Sequence, residues 1–254
     1  VCHQSIGRPL FNKPKYVPEM KKYILPVLFL FILSNNTQAQ LGSWSIVNVK
    51  SNLSNRWSLF AEAQIRSLRF YNHFHYYEYK AGAGYNINKY FFFFCGFGWY
   101  DTYAEGGNFK EPMVNDEFRT WLQVSMKQNL DRIKFEHRYR AEQRWTINGY
   151  RNRFRYRLQS VVPLNNKKLE KGTVYAIAWN EIFFTNNAPY FERNRFLVGC
   201  GYELTDNLAI QTGFLKQFDY KLNDETGRNF FQVALLYELS LKKKKQEHIP
   251  GGLD

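Results

Sequence analysis

The chain has 254 residues, 35 Lys+Arg against 22 Asp+Glu, a formal net charge of +13 and 19% aromatic residues. That length can bury a full core, and a 44% hydrophobic fraction with 18 Tyr and 23 Phe excludes a disordered polyelectrolyte. A basic balance with interleaved aromatics suits nucleic-acid binding. Here, however, the basic residues recur at alternate positions of strand-like segments, so nucleic acid is set aside as a partner.

Residues 1–19 precede Met20, contain Pro9, Pro14 and Pro18, and show no apolar periodicity. They are read as an upstream segment outside the folded protein. Met20, Lys21 and Lys22 then lead into an apolar run from Tyr23 to Leu33, with Thr37 and Ala39 at the −3 and −1 positions of a cleavage site before Gln40. This is the three-part plan of a secretory signal peptide, and the run is too short to span a bilayer. Residues 20–39 are therefore expected to direct export. No Cys follows the cleavage point closely, so no lipid anchor is implied. Cys95 and Cys200 fall on predicted strands and are expected to be buried thiols rather than a disulfide.

From Gln40 onward the pattern has period two. In 57–67 the odd positions are Trp57, Leu59, Ala61, Ala63 and Ile65, and the even ones include Ser58, Glu62, Gln64 and Arg66. Successive strand side chains point to opposite faces, so this segment has one apolar and one polar side. The pattern recurs in 77–87 and is strictest in 133–145. There Lys134, Glu136, Arg138, Arg140, Glu142 and Arg144 share one face, with Phe135, His137, Tyr139 and Trp145 on the other. After a break near residue 148, Arg151, Arg153, Arg155 and Arg157 alternate with Phe154, Tyr156 and Leu158. A hairpin there puts both charged rows on one side, with acids such as Glu142 opposite arginines of the next strand. Further strands are predicted over 43–50, 90–101, 116–126, 173–184, 192–204, 207–218 and 229–241, and no helix is.

Short connections at 52–56, 86–89, 128–131 and 205–207 take turns with longer ones at 69–76, 102–115, 185–191 and 219–228. That asymmetry, with strands of about ten residues, is the plan of an outer-membrane barrel. A soluble periplasmic ligand-binding barrel would place its apolar rows inside. Aromatics near the strand ends (Trp57, Trp99, Trp145) and mutually paired charged rows favour the inverted arrangement. The expectation is an all-β, antiparallel up-and-down transmembrane barrel over 40–241, with a basic tail at 242–254. Its strand number is expected to be even: ten if 43–50 stays outside the wall, twelve with one strand more.

Parity assigns thirteen bases and seven acids to the lumen. The predicted charge network is Lys134, Glu136, Arg138, Arg140, Glu142, Arg144, Arg151, Arg153, Arg155 and Arg157. It reads either as a salt-bridged plug or as a narrow anion-preferring conduit. The glycines at 82, 84, 96, 98, 199 and 201 are expected to make room for large lumenal side chains.

The stretches FEHRYRAEQRW, NRFRYRLQSVVPL, AWNEIFF and RNRFLVGCGYEL resemble an uncharacterised family of outer-membrane β-barrels, the domain-of-unknown-function family numbered twenty-four ninety. The resemblance covers essentially the whole mature chain. It implies fold and location, and brings no catalytic residues with it. Implied partners are outer-membrane lipid and lipopolysaccharide, the barrel-assembly machinery and small anions. The chain departs from many such barrels in ending without a terminal aromatic after Tyr237, Leu239 and Leu241.

An alternative is a lipid-modifying enzyme, such as a phospholipase or lipid A deacylase, which needs a Ser and a His together on the rim. His137 faces outward, but the hairpin expected near 129–130 sets it opposite Leu122 rather than Ser125. His73 and His75 lie in a predicted loop with no third metal ligand. No enzyme activity, cofactor or metal site is expected.

Overall fold

The structure, a computed structural model, describes residues 40–240. The expected upstream and signal segments, and the tail from 242, lie outside the described residues. What is described is a closed barrel of eleven strands. These are β1 (Leu41–Asn52), β2 (Trp57–Arg69), β3 (Asn72–Asn86), β4 (Phe91–Tyr103), β5 (Met113–Leu130), β6 (Ile133–Thr146), β7 (Gly149–Pro163), β8 (Val174–Thr185), β9 (Phe191–Glu203), β10 (Leu208–Asp219) and β11 (Thr226–Ser240).

Ten consecutive pairings are antiparallel, and β1 closes the circle by pairing in parallel with β11, from Leu41↔Asn229 to Asn52↔Ser240. The segment expected to stay outside the wall is thus its closing strand, and eleven replaces the expected ten or twelve. Direction alternates along an up-and-down chain, so an odd number leaves the first and last strands running the same way. They can then join only in parallel, a slightly weaker ladder per residue.

The connections 53–56, 87–90, 131–132, 164–173 and 204–207 form a first mouth. Those at 70–71, 104–112, 147–148, 186–190 and 220–225 form a second. The expected division into short and long is only partial. The longest connection, 164–173, shares the first mouth with short turns, and the loop expected over 69–76 is a two-residue turn at Phe70 and Tyr71. His73 and His75 therefore belong to β3. The β6–β7 turn tightens on Gly149, whose φ of +102° is open to glycine at little cost.

Side chains alternate as the period-two pattern requires. Among the outward strand positions, only Arg69, Asp101, Asp116 and Lys216 carry charge, each close to the second mouth. Leu59, Phe97, Leu122, Val124, Phe154, Val198, Ile210 and Leu235 are among the exposed apolar side chains of the outer wall. Cys95 and Cys200 lie on this outer wall as exposed free thiols, which corrects the expectation that they are buried. Both sit on outward parity, where the strand's own barrel leaves them uncovered.

An interior bounded by eleven strands is wider than one of eight, so long side chains are needed to fill it. Trp44, Ile177, Trp179, Leu197, Leu215 and Phe230 pack along one side, and Phe94, Tyr100 and Trp121 along the other. The inward glycines make this possible. A Cβ on Gly96 would lie 2.4 Å from Trp121, and one on Gly201 would lie 2.1 Å from Tyr175.

Candidate functional site: a charged lumen and a basic cup

The β6–β7 register sets Glu142 opposite Arg153, as expected, but it also sets Arg138 opposite Arg157, Arg140 opposite Arg155 and Arg144 opposite Arg151. Like charges facing each other across a ladder repel. The carboxylates that relieve them come largely from other strands.

Glu181 of β8, opposite Arg157, is the chief of these. Arg155 reaches both of its oxygens, at 2.8 and 2.9 Å, and Arg138 and Arg157 approach at 3.0 and 2.9 Å. Glu142 accepts from Arg153 and Arg155 at 2.6 and 2.8 Å, with Arg140 at 3.5 Å. Glu192 of β9 lies 3.1 Å from Arg153 and 3.4 Å from Arg144. Arg144 continues to Glu117 of β5, which Arg119 approaches at 2.5 Å. The result is one chain of alternating charge, Arg119–Glu117–Arg144–Glu192–Arg153–Glu142–Arg155–Glu181, spanning five strands.

Aromatic faces complete the solvation. Phe183, fully buried, has four guanidinium groups within 5.8 Å of its ring centroid: those of Arg153, Arg155, Arg193 and Arg195. Arg157 lies 4.1 Å over Trp179, Arg119 3.6 Å over Tyr100, and Arg140 5.1 Å from the Trp121 ring. A guanidinium stacked on a ring keeps its edge free for carboxylates.

A second network joins β1, β2 and β3. Lys80 Nζ lies 2.5 Å from Glu62 and 2.6 Å from Glu78, and Arg66 reaches Glu78 at 3.2 Å. Asn48 donates to Glu62 at 2.7 Å, and Trp44 Nε1 donates to Gln64 at 2.7 Å.

Of the ten residues predicted for the network, Arg138, Arg140, Glu142, Arg144, Arg153, Arg155 and Arg157 come together as described. Glu136 stands toward the first mouth, accepting from Ser125 at 3.2 Å. Lys134 lines a vestibule there of about 710 Å³, with Arg56, Lys89 and Lys127. Arg151 faces the second mouth. Sequence reasoning missed Glu181 and Glu192. Glu181 shares its inward face with Tyr175, Ile177, Trp179 and Phe183, so no charged row reveals it. Glu192 sits beside an irregularity in the β8–β9 ladder, where parity is lost.

At the second mouth the lumen opens into a cup of about 640 Å³. Its floor is the charged layer. Arg138, Arg140, Glu142, Arg155, Arg157 and Glu181 are each at most 4% exposed, and Trp121, Leu197 and Leu215 at most 2%. Side chains fill the barrel at that height.

The sequence sets His137 apart from Ser125, and in the structure the two differ in both register and face. Ser125 stands opposite Arg138 and is buried inside, whereas His137 stands opposite Met126 on the outer wall, bonded through Nδ1 to the Tyr156 hydroxyl at 2.9 Å. The turn is centred between residues 131 and 132 rather than near 129–130. Among the described residues there is no cluster of three or more His, Cys, Asp or Glu able to hold a metal ion.

No curated protein matches this sequence. The family described as "Protein of unknown function (DUF2490)" matches residues 41–228, which takes in the wall from β1 to the start of β11 and both networks. The chain belongs to that uncharacterised family, and within it forms an eleven-stranded β-barrel.

Proposed function

We propose that this protein is an outer-membrane barrel, exported by residues 20–39 and inserted in a Gram-negative outer membrane. In this reading its lumen is a sealed, salt-bridged core rather than a conducting pore. The observation that carries the membrane reading is the outer wall. Near the second mouth, outward aromatics run from strand to strand: Tyr79–Trp99 at 5.5 Å between centroids, Trp99–Phe118 at 5.1 Å, Phe118–Trp145 at 5.7 Å and Trp145–Tyr150 at 5.4 Å. Phe184–Phe191 at 6.0 Å and Phe191–Phe218 at 6.5 Å extend the row across β8, β9 and β10. Below it lies the exposed apolar belt, and the described strands have 12 to 18 residues. An interfacial girdle, an apolar band and strands long enough to cross at a tilt are the needs of a barrel solvated by lipid. Lys216 sits among these aromatics near the mouth, where a long side chain can extend its ammonium to the headgroups.

The expected choice between plug and conduit is drawn toward the plug by the buried layer. An anion crossing that layer would have to displace carboxylates held by two or three arginines each. The lipid-modifying alternative gains no support from the separated His137 and Ser125. Fractionation of expressing cells tests the reading. The protein should appear in the outer-membrane fraction, resist carbonate extraction and shift its gel mobility on boiling. Folded protein in the soluble fraction without detergent overturns it.

A further inference from the structure

The cup at the second mouth has a local deficit of negative charge. Nine arginines and one lysine line it, against five carboxylates: Glu78, Glu105, Glu117, Glu192 and Asp219. Most of these acids are already engaged. Glu117 and Glu192 bridge arginines of the charged chain, Asp219 holds Arg193, and Glu105 holds Arg228.

Arg151 is the exception. It opens the inward face of β7 directly opposite Arg144, two residues before Arg153. The two other arginine pairs facing across β6–β7, Arg138–Arg157 and Arg140–Arg155, are relieved by Glu181 and Glu142. The Arg144–Arg151 pair differs, because Arg144 spends its donors on Glu117 and Glu192. Arg151 Nε is buried with no hydrogen-bond partner, and the acid acting on Arg151 through space is Glu192, which is already bridged by Arg144 and Arg153. Arg151 is half-buried, and a guanidinium held beside two others with a buried, unbonded Nε is favoured when an anion joins them.

We propose that the cup is a binding site for a compact, water-soluble polyanion carrying two or more phosphate groups, with Arg151 as its principal anchor and Arg144 and Arg153 beside it. The cavity volume falls in the range of small-ligand sites. Arginine's planar fork matches phosphate oxygens in pairs. The cup opens to the aqueous side of the mouth and is walled by β-strands, so the ligand enters without an acyl chain. Because the floor is sealed, the ligand binds and leaves by the same mouth. This last feature rests on the closed-lumen reading, whereas binding itself does not.

The test uses the purified barrel in non-ionic detergent, titrated calorimetrically with pyrophosphate at constant ionic strength, with chloride and a diphosphorylated lipid in mixed micelles as separate arms. Saturable pyrophosphate binding is expected, weakened roughly tenfold or more by Arg151→Gln, as losing one charge-assisted bond implies, and partly kept by Arg151→Lys. Heat-modifiable gel mobility should be unchanged in both variants, because Arg151 supports no partner. Pyrophosphate binding that Arg151→Gln leaves intact, or heats no larger than those of chloride, overturns the site. Binding of the phosphorylated lipid alone overturns the soluble source. Conductance through reconstituted barrels with pyrophosphate binding retained overturns the sealed floor and leaves the site standing.

Discussion

The two charged networks of the lumen are built on different principles. Around Lys80 in β1–β3, two carboxylates face two cations, and neutral partners such as Asn48 and Gln64 complete the set. Along β5–β9, seven arginines share the carboxylates of Glu117, Glu142, Glu181 and Glu192, and aromatic faces supply the remaining solvation. The first is a balanced cluster that resembles any buried ion pair. The second is a cationic scaffold in which each acid cross-links several strands. Removing an acid should therefore be worse than removing a base in the Arg-rich wall, and about equally harmful in the balanced one.

Glu181→Gln carries the largest expected effect. It leaves Arg138, Arg155 and Arg157 facing one another without a carboxylate, at a cost of about 3–5 kcal/mol, the scale for breaking a buried pair. Urea unfolding of the barrel in vesicles, followed by tryptophan fluorescence, measures it. Lys80→Met should come next at about 3 kcal/mol, since Glu62 and Glu78 are then left together. Adding Glu62→Gln should recover part of that loss. Arg157→Met should cost less than either, because Glu181 keeps Arg138 and Arg155 and an apolar chain can replace the stack on Trp179. Equal losses for Glu181→Gln and Arg157→Met would erase the distinction between the networks. Outside them, Gly96→Val should destabilise by about 1–3 kcal/mol through collision with Trp121. Arg151→Gln should stay within about 0.5 kcal/mol of the parent.

The two walls also differ in how far the sequence shows them. β6 and β7 alternate strictly between charge and aromatic, so their faces, their pairing and the Glu142–Arg153 contact are legible residue by residue. β8 is not, because Ala176, Ala178 and Ile182 outside and Tyr175, Ile177, Trp179 and Phe183 inside are apolar on both faces. Glu181, which holds three arginines, is hidden in that run. β1 has the same ambiguity, with Trp44 and Ile46 inside and Val47 and Val49 outside, so its place in the wall is not visible from periodicity. Strand parity is a global property. It depends on whether β1 meets β11 in parallel, and no local pattern encodes that meeting. The two-residue displacement of the β5–β6 turn centre, which moves the partner of His137 from Leu122 to Met126, likewise depends on Asp131 adopting a left-handed φ of 51°.

The surplus of arginine over acid has two physical outcomes: a water-filled passage that attracts anions, or a cross-linked layer with a charged cup above it. Single-channel recording separates them. Protein reconstituted in planar bilayers, with insertion verified by protease protection and heat-modifiable mobility, should give no current steps above the bare bilayer. Glu181→Gln should then open transient conductance as the layer loosens. Stable, ohmic, anion-selective steps from the unaltered protein would contradict a sealed lumen.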